Sequence, residues 1–372
     1  MSEPKICCIF NLAPHYREPI YTLMDEKLNC DFYFGDKVKT KIKPLNVNNL
    51  KGYKNTVKNK FLFNTGWIWQ KGVSSLVFKP YDFYIITGDP YIISNYVILL
   101  LSHLLNKKVF VWSHGMKANA NTKRKLLEFL FFKLSHKVLI YGEYSQSIML
   151  KRGFKKDKLI PIYNSLNYDQ QKRIRENLGS STIYKDHFKN GKPVLAYIGR
   201  IQHSKKLDLL LRATKDLLNK GTPCNLVFIG KDVEEVGLEK LAMDLDIQEN
   251  VWFYGASYDE EDIGNLIFNA NVCISPGPIG LTALHSLTYG TPIITNDNFE
   301  TQMPEFEIIE KGKTGDFFID NDIKDLTLKT SQWISLDETK RNSVRKWAFE
   351  AIDKYYNPHY QIKVLKKLVG IN

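Results

Sequence analysis

The stretch YIGRIQHSKKLDLLL, residues 197–211, places Arg200 and Lys205 just beyond a strand-like run that ends in Gly199. The spacing predicts a helix beginning near Ser204, with Lys205 in its first turn. Helices ordinarily favour cations in the last turn, so this arrangement suits a bound anion. Together the guanidinium and ammonium would neutralise a diphosphate through charge-assisted hydrogen bonds. The alternative is a solvated basic loop. A second stretch, SPGPIGLTALHSLTYGTPIIT from Ser275 to Thr295, reads as strand end, glycine-bearing loop, helix, glycine stop and strand. Gly280 and Leu281 would offer backbone N–H groups there, with roughly half a positive charge from the helix end. Such a loop can hold an anion. Loops of this kind are common, and this one gains weight from Arg200 and Lys205 in the same half of the chain.

Two further stretches could carry proton or phosphate chemistry. VFVWSHG, residues 109–115, ends a strand-like run near His114. An imidazole there can donate or accept a proton near neutral pH, or it can be purely structural. FNLAPHYREPI, residues 10–20, follows the first strand-like run and carries His15, Tyr16 and Arg17. Arg17 would meet a phosphate or simply pack the loop.

These stretches need elements to position them. Residues 6–10, 30–35, 82–87, 108–112 and 137–141 are strand-like, with helix-length segments such as EPIYTLMDEKL and KRKLLEFLFFKLS between several of them. That order reads as βαβ units on a parallel sheet. Residues 37–79 are less regular, and Phe61, Phe63, Trp67 and Trp69 mark an extra hairpin or a lid. A polar run from Gln170 to Pro193 separates the halves. The alternation then restarts, with strands at 194–199, 225–230, 251–255, 271–275 and 292–295 and helices at 204–219, 234–245, 259–269 and 280–289. The expected class is α/β with two Rossmann-like doubly wound domains, residues 1–168 and 193–355. A linker at 169–192 joins them, and a C-terminal helix at 356–372, broken near Asn357-Pro358, returns towards the first domain. Ligands of such sheets bind beyond the carboxyl ends of the strands, where the stretches above lie.

At 372 residues the chain exceeds one ordinary core. With 44% hydrophobic and 25% charged residues it has the composition of a globular protein. Its net charge of +12 is uneven: residues 1–170 hold 26 basic and 12 acidic side chains, the remainder 26 and 28. The excess lies in runs such as KVKTKIK, KGYKNTVKNK and KRGFKKDK. A basic half suits lipid headgroups, a lipid-diphosphate acceptor or nucleic acid, or it is a solvated surface. Nucleic acid is the weakest of these, since neither an RNA-recognition pattern nor zinc spacing accompanies the runs. The five cysteines have an odd count and no metal spacing, as expected of buried free thiols in a reducing compartment. The amino terminus does not resemble a signal peptide. The most apolar segment, Tyr91 to Leu105, falls short of the roughly 20 residues of a membrane span. A cytoplasmic protein, peripheral on the inner face of the membrane, is the expectation.

Over nearly its whole length, and most strongly at residues 194–318, the chain resembles the family 4 retaining glycosyltransferases of the GT-B fold, the group of many bacterial polysaccharide transferases. GRIQHSKKLDLL resembles their G-R-x-x-x-x-K-G-x-D-x-L segment at Gly199, Arg200, Lys205 and Asp208. FIGKD with Lys231, then FYG, GTPII and EIIEKGKTG from Glu307 follow in the family's order. The resemblance implies domains facing across a cleft, an acceptor side in the first and a nucleotide-diphosphate sugar site in the second. Arg200 and Lys205 would bind the diphosphate and assist departure of the nucleotide. Gly280 and Leu281 would hold phosphate or sugar hydroxyls, and Gly199, Gly277, His285, Lys231 and Glu307 would complete the donor side. His114 would hydrogen-bond donor or acceptor sugar, while the leaving phosphate takes the acceptor's proton. His15, Tyr16 and Arg17 would lie over the cleft. Neither metal nor cofactor is implied, and the sequence is read as having no D-x-D motif of the kind metal-dependent GT-A transferases use. The implied partners are a nucleotide sugar, a saccharide or polyprenyl-diphosphate-linked acceptor, and an anionic membrane surface.

The chain departs from this family at one place. Two glutamates stand eight positions apart in relatives, and here those positions hold Gly277 and His285. Neutral histidine offers one donor and one acceptor where a carboxylate only accepts, and a lost contact costs about 1–3 kcal/mol. The G-L-T-A-x-H-S-L-x-Y-G-T-P pattern resembles a variant found among capsule-type transferases. The change at Gly277, the sugar-facing position in relatives, points to a donor lacking a hydroxyl or bearing a bulky substituent. The competing reading is an inactive transferase-like scaffold or partner subunit. Nucleotide-sugar epimerases and glycogen phosphorylases share the architecture, but phosphorylases need a pyridoxal-binding lysine in a much longer chain.

Overall fold

The computed structural model describes residues 3–39, 43–62 and 66–371, so Phe63 and residues 40–42 of the first basic run lie outside the described residues. The chain divides into two compact units, Met1–Asn167 with Asn357–Asn372, and Tyr168–Tyr356.

In the first unit the strands are β1 (Lys5–Phe10), β2 (Asn29–Gly35), β3 (Tyr53–Val57), β4 (Asn59–Phe61), β5 (Ile68–Gln70), β6 (Phe83–Thr87), β7 (Lys108–Ser113), β8 (Lys137–Ile140) and β9 (Leu159–Pro161). Between them run α1 (Glu18–Lys27), α2 (Ile93–Leu104), α3 (Thr122–Leu134) and α4 (Glu143–Lys151). Seven strands form a parallel sheet in the order β3-β2-β1-β6-β7-β8-β9. Residues Ile6 to Phe10 are all buried. A strand covered on both faces has no solvent side, so its sequence reads as an unbroken apolar run. The irregular segment at 37–79 does contain a hairpin, β4 paired antiparallel with β5. Cys7, Cys8, Cys30, Cys224 and Cys273 are buried and free.

The second unit holds α5 (Tyr168–Asn177), α6 (Ile183–Phe188), β10 (Val194–Ile198), α7 (Leu207–Asn219), β11 (Asn225–Ile229), α8 (Leu238–Asp244), β12 (Val251–Gly255), α9 (Glu260–Asn269), β13 (Val272–Ser275), α10 (Leu281–Thr288), β14 (Ile293–Asn296), β15 (Gly315–Phe318), α11 (Ile323–Ile334) and α12 (Glu338–Lys354). Its six strands are all parallel in the order β12-β11-β10-β13-β14-β15. Numbered within the unit this is 3-2-1-4-5-6, the Rossmann order, whose crossing point lies between β10 and β13. The loops after those two strands are the ones carrying Arg200 and Gly277.

Residues 169–192 are not a linker. They form α5 and α6 and group with the second unit. Gln171 donates to Glu260 at 2.7 Å, Arg175 pairs with Asp353 at 2.7 Å, and the Tyr184 hydroxyl donates to the Leu266 carbonyl at 2.7 Å. The last helix, α13 (Pro358–Val369), is capped by Asn357, whose side chain accepts from the Tyr360 N–H. It groups with the first unit, and Ile362, Leu365 and Val369 complete a core shared with β1 and α1.

Candidate functional site

At the end of β10, Gly199 takes a φ of +143°, a conformation that side-chain-bearing residues rarely adopt. The Thr282 hydroxyl, in the first turn of α10, donates to the Ile198 carbonyl at 2.7 Å. This bond ties the start of that helix to the strand end carrying Arg200. A 3₁₀ turn, His203–Lys205, follows, and Lys206 then adopts a left-handed φ of 50° before α7 begins at Leu207. Lys205 is therefore not in the first turn of α7 as its spacing predicts. The left-handed Lys206, whose ammonium pairs with Asp320 at 2.7 Å, interrupts the helix and leaves Lys205 in the turn before it.

Two bonds lock this turn to the loop after β13. The Lys205 ammonium donates to the Pro278 carbonyl at 2.5 Å, and the Gly277 N–H donates to the Lys205 carbonyl at 2.9 Å. Arg200 is exposed and Lys205 half-buried. Burial, and then the nearby Arg200 guanidinium, lowers the Lys205 ammonium from its ordinary range, while the buried Glu305 pulls it back up. Sequence reasoning chose Glu307 from the same 3₁₀ turn, Pro304–Ile308; Glu307 is half-buried, and it is Glu305 whose charge reaches Lys205. Nothing in a Glu-x-Glu spacing tells which carboxylate turns inward. Gly280 caps α10, and a Cβ placed there would meet only Met303, at 3.9 Å, so space remains in front of the helix start and Leu281. Lys231 stands exposed after β11, its carbonyl accepting from the Ile201 N–H at 3.0 Å.

The two variant positions each have a structural counterpart. A Cβ on Gly277 would lie 2.3 Å from the Ser204 carbonyl oxygen and 2.6 Å from the Lys205 Cα. The space a glutamate would need is filled by the backbone of the cationic turn. Sterics thus supply a reason for glycine that makes no reference to the donor sugar. His285 lies in the last turn of α10, with its buried Nδ1 3.6 Å from the Glu260 carboxylate of α9. That carboxylate also accepts from Gln171 at 2.7 Å and from the Tyr289 hydroxyl at 2.8 Å. A carboxylate from a neighbouring helix thus stands beside the imidazole at position 285. Glu260 is 25 positions earlier in the chain, and no sequence spacing points to it.

Burial alone would raise the Glu260 carboxyl, but His285, Gln171 and Tyr289 bring it down to about 2. A carboxyl with a depressed folded-state value stabilises the fold above its unfolded value of about 4.3, and this contribution disappears as pH falls through the folded value. Unfolding free energy is expected to drop by about 2–3 kcal/mol from this group between pH 5 and pH 2. Glu260→Gln, measured by urea titration across that range, should flatten this part of the profile. An unchanged acid limb in the variant would show that Glu260 does not carry it.

In the first unit, Arg17 turns inward over an aromatic bed, its guanidinium 4.2 Å from the Trp112 ring centroid and 5.2 Å from that of Tyr21. Its Nη2 is buried without a hydrogen-bond partner. His15 is held to the Lys43 carbonyl by its backbone and by Nδ1 at 3.2 Å, and its ring meets Tyr16 edge-on. His114 follows β7 and lies 4.8 Å from the Tyr141 ring. The residue is exposed, yet desolvation among its neighbours and the cations Lys117 and Arg17 pull its imidazole down to about 4. The ring is therefore neutral at physiological pH. His114 and Arg17 form one set, while His15 and Tyr16 flank Arg17 on the loop.

Contrary to the reading that no D-x-D motif is present, the sequence contains two such triplets, Asp244-Leu245-Asp246 and Asp320-Asn321-Asp322. Asp320 is engaged by Lys206 and Asn298, and Asp322 caps α11. Among the described residues no group of three or more His, Cys, Asp or Glu side chains could hold a metal ion.

Residues 181–351, which enclose the whole second-unit site, match the family model described as glycosyl transferases group 1. A glycogen synthase from Thioalkalivibrio sulfidiphilus is 28% identical over 182 residues, covering 46% of this chain and 34% of the relative. An uncharacterized 41.2 kDa protein in the cps region of Klebsiella pneumoniae is 24% identical over 194 residues, covering 51% and 49%. The chain thus spans a third to a half of the length of these relatives. The crystal structure of Anabaena Alr3699/HepE in complex with UDP matches with a TM-score of 0.72 at 13% identity, over 99% of this chain and 100% of that one. This likeness shows the fold, two Rossmann-like domains of the GT-B type. Within the matched residues 181–351 lie Gly199, Arg200, Lys205, Lys231, Gly277, Gly280, Leu281, His285 and Glu307. His15, Tyr16, Arg17 and His114 lie outside them.

Proposed function

We propose that the chain is a glycosyltransferase that moves a sugar from a nucleotide-diphosphate donor to a polysaccharide or polyprenyl-diphosphate-linked saccharide, with retention of configuration and without a metal. The observation that carries this reading is the locked pair of loops: Lys205 held on the Pro278 carbonyl, with Arg200 beside it and open space at the start of α10. Those groups suit a diphosphate, the leaving group of such a donor. The glycosyl transferases group 1 match, the UDP of the HepE structure and the cps-region relative support it.

In this reaction the bond between the anomeric carbon and the diphosphate oxygen breaks, and the acceptor hydroxyl forms a new bond on the same face. The acceptor's proton passes to the departing phosphate oxygen. Arg200 and Lys205 stabilise the negative charge that develops there, the role a divalent ion plays in other transferases. His114, neutral at physiological pH, is assigned to hydrogen-bond a sugar hydroxyl. Arg17, with its unpartnered Nη2, is assigned to an anionic group of the acceptor.

A panel of UDP, GDP, dTDP and CMP, each with its sugar conjugates, tests the reading by thermal shift. One nucleotide class should raise Tm through preferential binding to the folded state, and Arg200→Ala should abolish the rise. With that donor, product NMR should show a retained anomeric configuration, and turnover should persist in EDTA. Failure of every nucleotide to shift Tm would favour a scaffold instead.

A further inference from the structure

α2 and α3 lie side by side on one face of the first sheet. Ile98 and Leu99 of α2 and Phe131 and Phe132 of α3 share a single core with Val109, Val111 and Ile140. Between the helices, Tyr96 meets Phe131 at 5.1 Å, and the His103 ring bonds the Leu134 carbonyl at 2.7 Å. Their outer surfaces therefore point the same way, and they carry leucines. Leu100 is 54% exposed, Leu104 81%, Leu126 59% and Leu130 52%. Positions 100 and 104, and positions 126 and 130, each form an i, i+4 stripe. On α2 this comes with polar groups facing inward: Asn95 donates to the Thr87 carbonyl, Ser94 accepts from the Gln70 N–H, and Ser102 donates to the Leu99 carbonyl.

The surroundings are strongly basic. Residues 91–142 contain seven lysines and one arginine against one carboxylate, Glu128, which is buried and paired with Arg124 at 2.7 Å. Lys123 and Lys125 are exposed at the start of α3. At its other end, Lys158 donates to the Lys133 carbonyl at 2.8 Å, and Lys137 shares the area with Asp157 as the paired acid at 3.6 Å. Burial and then Lys133 lower the Lys158 ammonium to about 8, Asp157 opposing and Lys137 adding to the fall. With Glu128 and Asp157 as the opposing acids, this area keeps an excess of positive charge.

We infer that the α2–α3 face docks on an anionic lipid bilayer, the four leucines entering the interface and the lysines meeting headgroup phosphates. Leucines ringed by lysines fit a surface that is apolar within and negative at its edge. A soluble polyanion would use the lysines and leave the leucines idle. Among the described residues no helix is long and apolar enough to cross a membrane, so the contact is interfacial. Vesicle binding reads this face alone, whatever the second unit transfers.

The test is flotation of the full chain with vesicles of phosphatidylcholine containing 30% phosphatidylglycerol, against phosphatidylcholine alone, at about 150 mM salt. Partitioning to the anionic vesicles should be at least tenfold stronger. Leu100→Gln/Leu104→Gln/Leu130→Gln should lose at least tenfold while keeping its Tm, and Lys123→Gln/Lys125→Gln/Lys133→Gln should lose as much. The emission of Leu104→Trp should shift to the blue on anionic vesicles. Three results would overturn the inference: equal binding to neutral vesicles, undiminished binding by the leucine variant, or a concentration-dependent dimer in solution that the leucine substitutions abolish.

Discussion

Arg200→Ala is expected to lower turnover by about 10²–10³-fold, the loss typical of removing one preorganised group that stabilises developing negative charge. Arg200 has little structural work to do: its side chain is exposed, and its carbonyl, which accepts from the Tyr197 hydroxyl at 2.8 Å, survives the substitution. Tm without ligand should therefore stay within a degree or two of the parent. Lys205→Ala should match the loss of turnover and add a structural one, because the ammonium also holds the Pro278 carbonyl of the partner loop. Arg200→Lys should recover only part of the activity, since an ammonium lacks the two-pronged geometry of guanidinium. Wild-type turnover in Arg200→Ala would remove the diphosphate site from the proposal.

Gly277→Glu, which restores the residue of the family resemblance, is expected to damage the protein. The first carbon of any side chain would sit 2.3 Å from the Ser204 carbonyl oxygen and 2.6 Å from the Lys205 Cα, and both are backbone. No rotamer relieves a clash at Cβ, so the 203–206 turn must move. A shift of that kind costs about 1–3 kcal/mol, equivalent to a fall of roughly 2–10 °C in the Tm of the second unit. Gly277→Ala isolates the steric part. It should show a similar fall in calorimetry and a weaker nucleotide-dependent shift, because Lys205 moves with the turn. If the alanine variant keeps both parental values, packing does not demand the glycine, and donor chemistry becomes the explanation for it.

The parallel sheets were legible because strands buried on both faces leave long apolar runs, as in residues 6–10 and 194–198. The loops at the crossing point were legible because Gly199, Arg200 and Lys205 stand together in one short stretch and Gly277 and Gly280 in another. What escaped was held by distant partners. Gln171 and Arg175 made residues 169–192 look like a solvated connection, yet both are buried and paired with Glu260 and Asp353 from far along the chain. The left-handed turn at Lys206 carries no glycine to announce it. Glu260 beside His285, and the reach of Glu305 to Lys205, depend on which elements pack together, which local spacing does not encode.

The first unit recruits its final helix from the far end of the chain, whereas the second is one continuous segment. During synthesis the second unit can complete itself as soon as Tyr356 clears the ribosome. The first must wait, its β1 and α1 side exposing the apolar seat of Ile362, Leu365 and Val369 until the last residues arrive. The half made first is thus finished last, and a nascent chain stalled before residue 357 would present an open hydrophobic trough to the cell's chaperones.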